Sequence, residues 1–115
     1  LSNVVEQFGV IYLNRSNTVI GTSVVARGGV CQTIVDVKVI FTQALLCSAT
    51  SIILWHNHPS GNLKASSSDK LLTTKIIEGA KILDINVLDH IIIGTSVIED
   101  DNNNFLSFAD EGILN

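Results

Sequence analysis

Methionine is absent from this chain of 115 residues, proline, tryptophan and tyrosine occur once each, and seven lysines and arginines stand against eleven aspartates and glutamates. The shortage of positive charge excludes the most. Arg15, Arg27, Lys38, Lys64, Lys70, Lys75 and Lys81 are scattered along the sequence and the net charge is −4, the reverse of the clustered basic footprint of a nucleic-acid binder. Direct nucleic-acid binding by this domain alone is therefore not expected. Cys31 and Cys47 form no C-x-x-C pair and lie in apolar stretches, which argues against a thiolate metal centre or a disulfide framework and for buried free thiols. No apolar run reaches the roughly 18 residues of a membrane span, and no charged-then-apolar leader opens the chain. A cytoplasmic protein with no membrane attachment is expected. A sequence that starts at Leu1 and lacks methionine reads as one with trimmed ends, leaving flanking domains and oligomeric state open.

Apolar residues make up 46% of the chain, enough for the core of a single domain over residues 1–115. In QFGVIYL, residues 7–13, Phe8, Val10 and Tyr12 alternate with Gly9, Ile11 and Leu13, the pattern of a strand covered on both faces. Asn14 to Asn17 reads as a turn, and TVIGTSVVA at 18–26 as an antiparallel partner ended by Arg27-Gly28-Gly29. Val37, Ile40, Phe41, Ala44, Leu45 and Ser48 recur at helical spacing behind Asp36, predicting a helix over 36–48. Ser51 to Trp55 reads as a central strand that delivers the chain into His56-Asn57-His58-Pro59, where it leaves the sheet. Ser66-x-x-Asp69 has the form of a capping box with Asp in place of Glu or Gln, and Leu72, Ile76, Ala80 and Leu83 predict a second helix behind it. NVLDHIIIG at 86–94 predicts a further core strand, Asp100 to Asn104 a polar loop tip, and Phe105 to Phe108 a short closing strand. This order predicts an α/β (α+β) fold, a mixed β-sheet flanked by helices in three layers.

His56 and His58 carry the chemistry. Residues two apart in an extended chain point to the same side, so both imidazoles can reach one ion while Asn57 points away. Pro59 keeps the preceding His58 extended. Two ligands are too few for zinc, whose catalytic sites usually take three protein ligands and leave one position open. Asp69, in the first turn of the second helix, is the best third ligand, because a strand-loop-helix unit brings that turn back over the strand end. Taken alone, Asp69 reads as a helix cap. His90 reads as a satisfied core residue or a support behind the ligands, and Trp55, facing away from His56, as core rather than a substrate platform.

His56-x-His58-Pro59, six residues, Ser66, two residues and Asp69 resembles, in full spacing, the JAMM signature of the JAB/MPN metalloprotease superfamily. HNHPSG at 56–61, LDHIIIG at 88–94 and EGIL at 111–114 are similar to the RadC-like branch, long labelled DNA repair proteins, and the likeness spans nearly the whole chain. The resemblance implies a cytidine-deaminase-like three-layer architecture and Zn2+ held by His56, His58 and Asp69. It also implies Glu6, at the start of the first strand, as general base: zinc lowers the pKa of a bound water towards about 7, and a nearby carboxylate takes its proton and passes it to the leaving amine. The plain reading of Glu6 is an exposed charge at a frayed end. Ser66 would hydrogen-bond the developing oxyanion, beside its plain reading as helix N-cap. A peptide or isopeptide bond in a peptide or protein substrate is implied. RadC proteins usually carry a helix-hairpin-helix module before this domain, and nothing in residues 1–115 corresponds to it. Where they usually show a His-Pro-Arg-Glu run before the first helix, this chain has Asp36-Val37-Lys38-Val39, which removes whatever those residues contribute to substrate contact.

Three rivals are weighed. HNH nucleases share only the letters His56-Asn57-His58, since their motif is dispersed over a ββα unit. Zinc deaminases need H-x-E and P-C-x-x-C, whereas position 58 is His and no such cysteine pair exists. The alternative to an enzyme is a non-catalytic zinc-binding or scaffold domain, acting in DNA repair or recombination through partners.

Overall fold

The computed structural model describes residues 5–28, 34–94 and 104–114. Strand β1 (Gln7–Leu13) turns into β2 (Val19–Arg27) through Asn14, whose side-chain oxygen accepts from the backbone of Ser16 and Thr18, and Asn17, which takes the left-handed conformation asparagine tolerates. Helix α1 (Val37–Leu46) starts where the Asp36 carboxylate accepts from Lys38 N at 2.9 Å. Strand β3 (Ser51–His58), helix α2 (Ser67–Ile82) and strand β4 (Asn86–Gly94) form a β-α-β crossover, and β5 (Phe105–Ser107) closes the sheet. The strand order is β2-β1-β3-β4-β5, with β3 and β4 parallel and the other neighbours antiparallel. A mixed five-stranded sheet with two helices, the expected α+β class, is what the chain forms.

Both helices sit on one face. Phe8, Val10 and Tyr12 of β1 and Ile52 and Leu54 of β3 form a single buried cluster with Ile40 and Ala44 of α1 and Leu72, Ile76 and Ala80 of α2. The helices also meet each other at Gly79, where an added Cβ would come within 2.8 Å of the Phe41 ring. On the opposite face, Ile11, Ile53, Trp55 and Ile91 are half-buried, and Val24, Ile93 and Phe105 are exposed. Among the described residues the layers therefore number two, helices over sheet, rather than three.

Four local expectations change. β3 does not end at Trp55 but runs through His58, because β1 pairs with it as far as His56 and β4 as far as His58. Leu45 and Ser48 of the first helical pattern and Leu83 of the second are exposed, and Ile85, just past α2, is buried instead. Trp55 faces away from His56 as expected, but it lies on the uncovered face over Gly9, where a Cβ would run into the indole, and not in the core. Cys47 is a free thiol that is half-buried rather than buried; Cys31 and residues 100–103 lie outside the described residues. Among the described residues no helix is long and apolar enough to cross a membrane.

Candidate metal centre

The site lies at the carboxyl end of β3, against the start of β1 and the first turn of α2. Phe8 pairs with His56 in the antiparallel register, so the β alternation carries Glu6, two residues earlier, onto the same face as both histidines. A separation of fifty residues in sequence thus becomes a neighbourhood. Asn57, between the histidines, completes the placement from the other side of the strand: its Oδ1 accepts from Gln7 N at 2.6 Å and its Nδ2 donates to Val5 O at 3.0 Å. One amide clamps the main chain on both sides of Glu6.

Pro59 and Gly61 shape the next turn. Gly61 N donates to His58 O at 2.9 Å and Gly61 has φ 82°, a tight turn with proline at its second position and glycine at its fourth. This brings Asn62 O back to accept from His58 Nδ1 at 2.6 Å. The capping box of α2 then forms as read: Ser66 Oγ accepts from Asp69 N at 3.0 Å, and Asp69 Oδ2 accepts from Ser66 N at 2.8 Å. The cap uses a lone pair of the Ser66 oxygen and leaves its hydroxyl proton to donate elsewhere.

Capping and proximity to the histidines coexist in Asp69. Its Oδ1 lies 3.2 Å from His56 Nε2 and its Oδ2 3.4 Å from His58 Nε2, while the two Nε2 atoms are 2.9 Å apart. The Glu6 carboxylate lies within 4.8 Å of both imidazoles. Burial by itself would raise the Asp69 pKa, but hydrogen bonds from His56 and from the Ser66 backbone, with the charge of His56, outweigh it and hold the carboxyl well below the usual range. His56 is wholly buried and the His58 side chain is 15% exposed, so His58 is the side open to solvent.

Two further residues complete the centre. His90 of β4, wholly buried, places Nε2 2.7 Å from His56 Nδ1 and Nδ1 2.5 Å from Thr73 Oγ1, and Thr73 Oγ1 donates to Asp69 O at 2.8 Å. Burial foremost, then the charges of His56 and His58, push the His90 pKa down to about 3 against the opposing charge of Asp69, so its imidazole is neutral. Phe108 stacks on His90 with ring centroids 4.4 Å apart, and Phe8 stacks on His56 at 5.9 Å. Asp89 secures Phe108 by accepting from Ser107 Oγ at 2.5 Å and Ala109 N at 2.9 Å. The roles of Asn57, Thr73, Asp89 and Phe108 were not read from the sequence; the run LDH at 88–90 is a trace of Asp89 alone, its acid and imidazole side by side ahead of the apolar run Ile91–Ile93.

The donor set suits a small cation. Asn62 O can only accept, so His58 donates from Nδ1 and, when neutral, presents a lone pair at Nε2. Zinc with ligand bonds of about 2.0–2.1 Å in a tetrahedron separates its donor atoms by about 3.3–3.4 Å; the two Nε2 atoms lie 2.9 Å apart, and the Asp69 carboxylate lies 3.2 Å from His56 through Oδ1 and 3.4 Å from His58 through Oδ2. Two carboxylates border the pair: Asp69 lies against both rings, and Glu6, His56 and His58 bring one ligand atom each within 4.8 Å of one another, so that Glu6 also belongs to a group that could hold an ion.

A mixed sheet with two helices, and two imidazoles and two carboxylates at one strand end, are consistent with a domain of the JAB type. The family model for the RadC-like JAB domain matches residues 1–113. The chain is 45% identical over 109 residues to a UPF0758 protein of Flavobacterium johnsoniae, covering 95% of this chain and 44% of that relative. It is 40% identical to a UPF0758 protein of Porphyromonas gingivalis (95% and 45% covered) and 39% identical to one of Methanosarcina acetivorans (95% and 44%). The chain belongs to the RadC-like JAB domain family, and it spans less than half the length of these curated relatives.

Proposed function

We propose that this domain is a zinc-dependent hydrolase of the JAMM type, cleaving a peptide or isopeptide bond in a peptide or protein substrate. One observation carries the reading: the Nε2 atoms of His56 and His58 and the Asp69 carboxylate converge within 2.9–3.4 Å of one another, an electron-rich cluster that a divalent cation satisfies. His56, His58 and Asp69 would hold Zn2+. When bound, zinc supplies an acidic water with a pKa near about 7 and a Lewis acid for the scissile carbonyl. Glu6, clamped by Asn57 at the edge of the cluster, would serve as the general base that accepts a proton from the attacking water and passes it to the leaving amine. The Ser66 hydroxyl, its oxygen engaged by the cap, directs its free proton to the carbonyl oxygen as charge develops there.

Amide hydrolysis rests on these residues; the peptide or isopeptide bond rests on the family resemblance. The acidic net charge supports a role without direct nucleic-acid contact, so any part in DNA repair runs through partners. The free Cys47 fits a reducing cytoplasm.

Elemental analysis of protein purified without chelator, followed by turnover of peptide and isopeptide reporters, tests the reading. We expect stoichiometric zinc, its loss in His58→Ala, and in Glu6→Gln retention of zinc with a fall in turnover of roughly 10²–10⁴-fold. Zinc-free wild-type protein, or a Glu6→Gln variant as active as the wild type, overturns it. A non-catalytic zinc-binding domain would instead hold the metal with no turnover to lose.

A further inference from the structure

We propose that the groove between α1 and α2 docks a segment of the protein substrate that carries a carboxylate at one end and apolar side chains over the residues beyond it. The inference deepens the hydrolase reading above and rests on it for calling the occupant a substrate, while the docking itself stands on the groove alone.

The groove holds about 850 Å3, within the ~300–1,000 Å3 of binding clefts. Val37, Phe41 and Leu45 line it at helical spacing along α1, a run of about 12 Å that matches roughly four residues of extended chain. Val37 and Phe41 are half-buried against the core, whereas Ile34 and Leu45 are 50% and 55% exposed. Apolar side chains in contact with water beside a charged rim make an interaction surface. Val35, also in the lining, is buried in the main core and fixes the floor.

Charge gives the groove a direction. In a chain of net charge −4, the lining holds Lys38, Lys75 and a single acid, Asp36. That acid is committed: its carboxylate caps α1 by accepting from Lys38 N and pairs with Lys38 Nζ at 3.3 Å. The hydrogen bonds from Lys38, then the charges of Lys38 and Lys75, hold the Asp36 carboxyl below its usual range, as expected with both ammonium groups near the start of α1. Among the described residues Lys75 makes no ion pair, so a docked carboxylate meets a cation that the fold leaves unmatched. A second copy of this chain is the poorer occupant, because a twofold contact over the groove sets lysine against lysine. The lysine end is also the one nearer the metal position. Lys75 lies about 9 Å of helix rise beyond Asp69, whereas Phe41, further along α1, faces Gly79 another turn along α2. The carboxylate of the docked segment therefore sits between the scissile bond and the apolar residues.

Fluorescence anisotropy with three labelled pentapeptides, Glu-Glu-Leu-Phe-Leu, Lys-Lys-Leu-Phe-Leu and Glu-Glu-Ser-Gly-Ser, tests the docking without any turnover. The acidic-apolar peptide is expected to bind, and the other two at least roughly 10-fold more weakly. Its shifts in the 1H–15N spectrum are expected at Val37 to Thr42 and at Lys75. Lys75→Glu, at an exposed helical position that suits either residue, is expected to weaken the acidic-apolar peptide roughly 3- to 10-fold and to narrow its lead over the basic one. Absence of binding at about 1 mM, equal affinity for the acidic and basic peptides, shifts that fall elsewhere, or unchanged affinity in Lys75→Glu each overturns the proposal. So does a dimer in sedimentation that Leu45→Glu abolishes, which would assign the groove to a second copy. Selective docking in a protein that turns over no peptide or isopeptide reporter would leave the groove standing and overturn the hydrolase reading; turnover without docking would do the reverse.

Discussion

The two faces of the sheet are built from equally apolar strands and end in different states. Towards the helices, Val10, Ile52, Leu54 and Ile92 are completely buried and the same face ends in the ring of His56, His90, Asp69 and Thr73, where every buried side-chain polar atom among the described residues has a partner. Towards the other side, Ile11, Ile53, Trp55 and Ile91 are only half-buried, in a shallow apolar hollow. Hydropathy cannot separate these faces; the positions of Gly79, Leu72 and Ile76, which bring the helices down on one side, can. A polar network becomes specific in geometry only where it is enclosed.

Core truncations test that contrast most strongly. Leu54→Ala should cost about 2–5 kcal/mol while its neighbour Ile53→Ala, on the open side, costs under roughly 1.5 kcal/mol; equal midpoint shifts in urea unfolding would erase the distinction. Acid should act through the covered face. The unfolded chain takes up a proton at His90 below about pH 6.5, whereas the fold, in which burial and the charges of His56 and His58 outweigh Asp69, refuses it until about pH 3. Stability of the metal-free protein is therefore complete above pH 6.5 and falls as pH drops through that window, by up to about 1.4 kcal/mol per pH unit. His90→Gln should flatten the slope there, and an unchanged slope would mean that another group is responsible.

Smaller effects sharpen the comparison at single contacts. Gly9→Ala puts a methyl group into the Trp55 indole and should destabilise by about 1–3 kcal/mol, most of which disappears in a Trp55→Ala background if that contact is the cause. Asn57→Ala removes two hydrogen bonds to the main chain around Glu6, costing about 1–2 kcal/mol. It should lower turnover more than stability while zinc content holds; parallel losses in both would show that the clamp only stabilises β1. Asp36→Ala, at the exposed cap of α1, should cost about 1 kcal/mol.

Sequence reading reached those features whose causes are local. The His-x-His alternation, the Ser66/Asp69 box and the strand at Asn86–Gly94 depend on neighbours within a few residues, and each stands where it was expected. The pairing of β1 with β3 was out of reach, and with it the extension of β3 through His58 and the way Asn57 grips Val5 and Gln7, because these depend on a register between segments fifty residues apart. Leu45 and Leu83 satisfied a helical period yet lie exposed, since the period specifies a stripe and the crossing of α1 over α2 decides how much of that stripe is used. His90 could be read as a buried imidazole, but its direction towards His56 exists only once β3 and β4 lie side by side.

The register that sets Phe8 opposite His56 leaves one of the four groups on a different footing from the rest. Both imidazoles and Asp69 hang from the middle of the chain, whereas Glu6 is borne by the lead-in to the first strand, where its carbonyl accepts from Gly28 N at 2.7 Å. A version cut back to Gln7 would keep the pairing of β1 from Gln7 onwards and the three inner groups, lose the hydrogen bonds made by Val5 O and Glu6 O, and forfeit the outer acid. On the proposed chemistry it would grip its target without cutting it, a bait with which to retrieve the natural substrate.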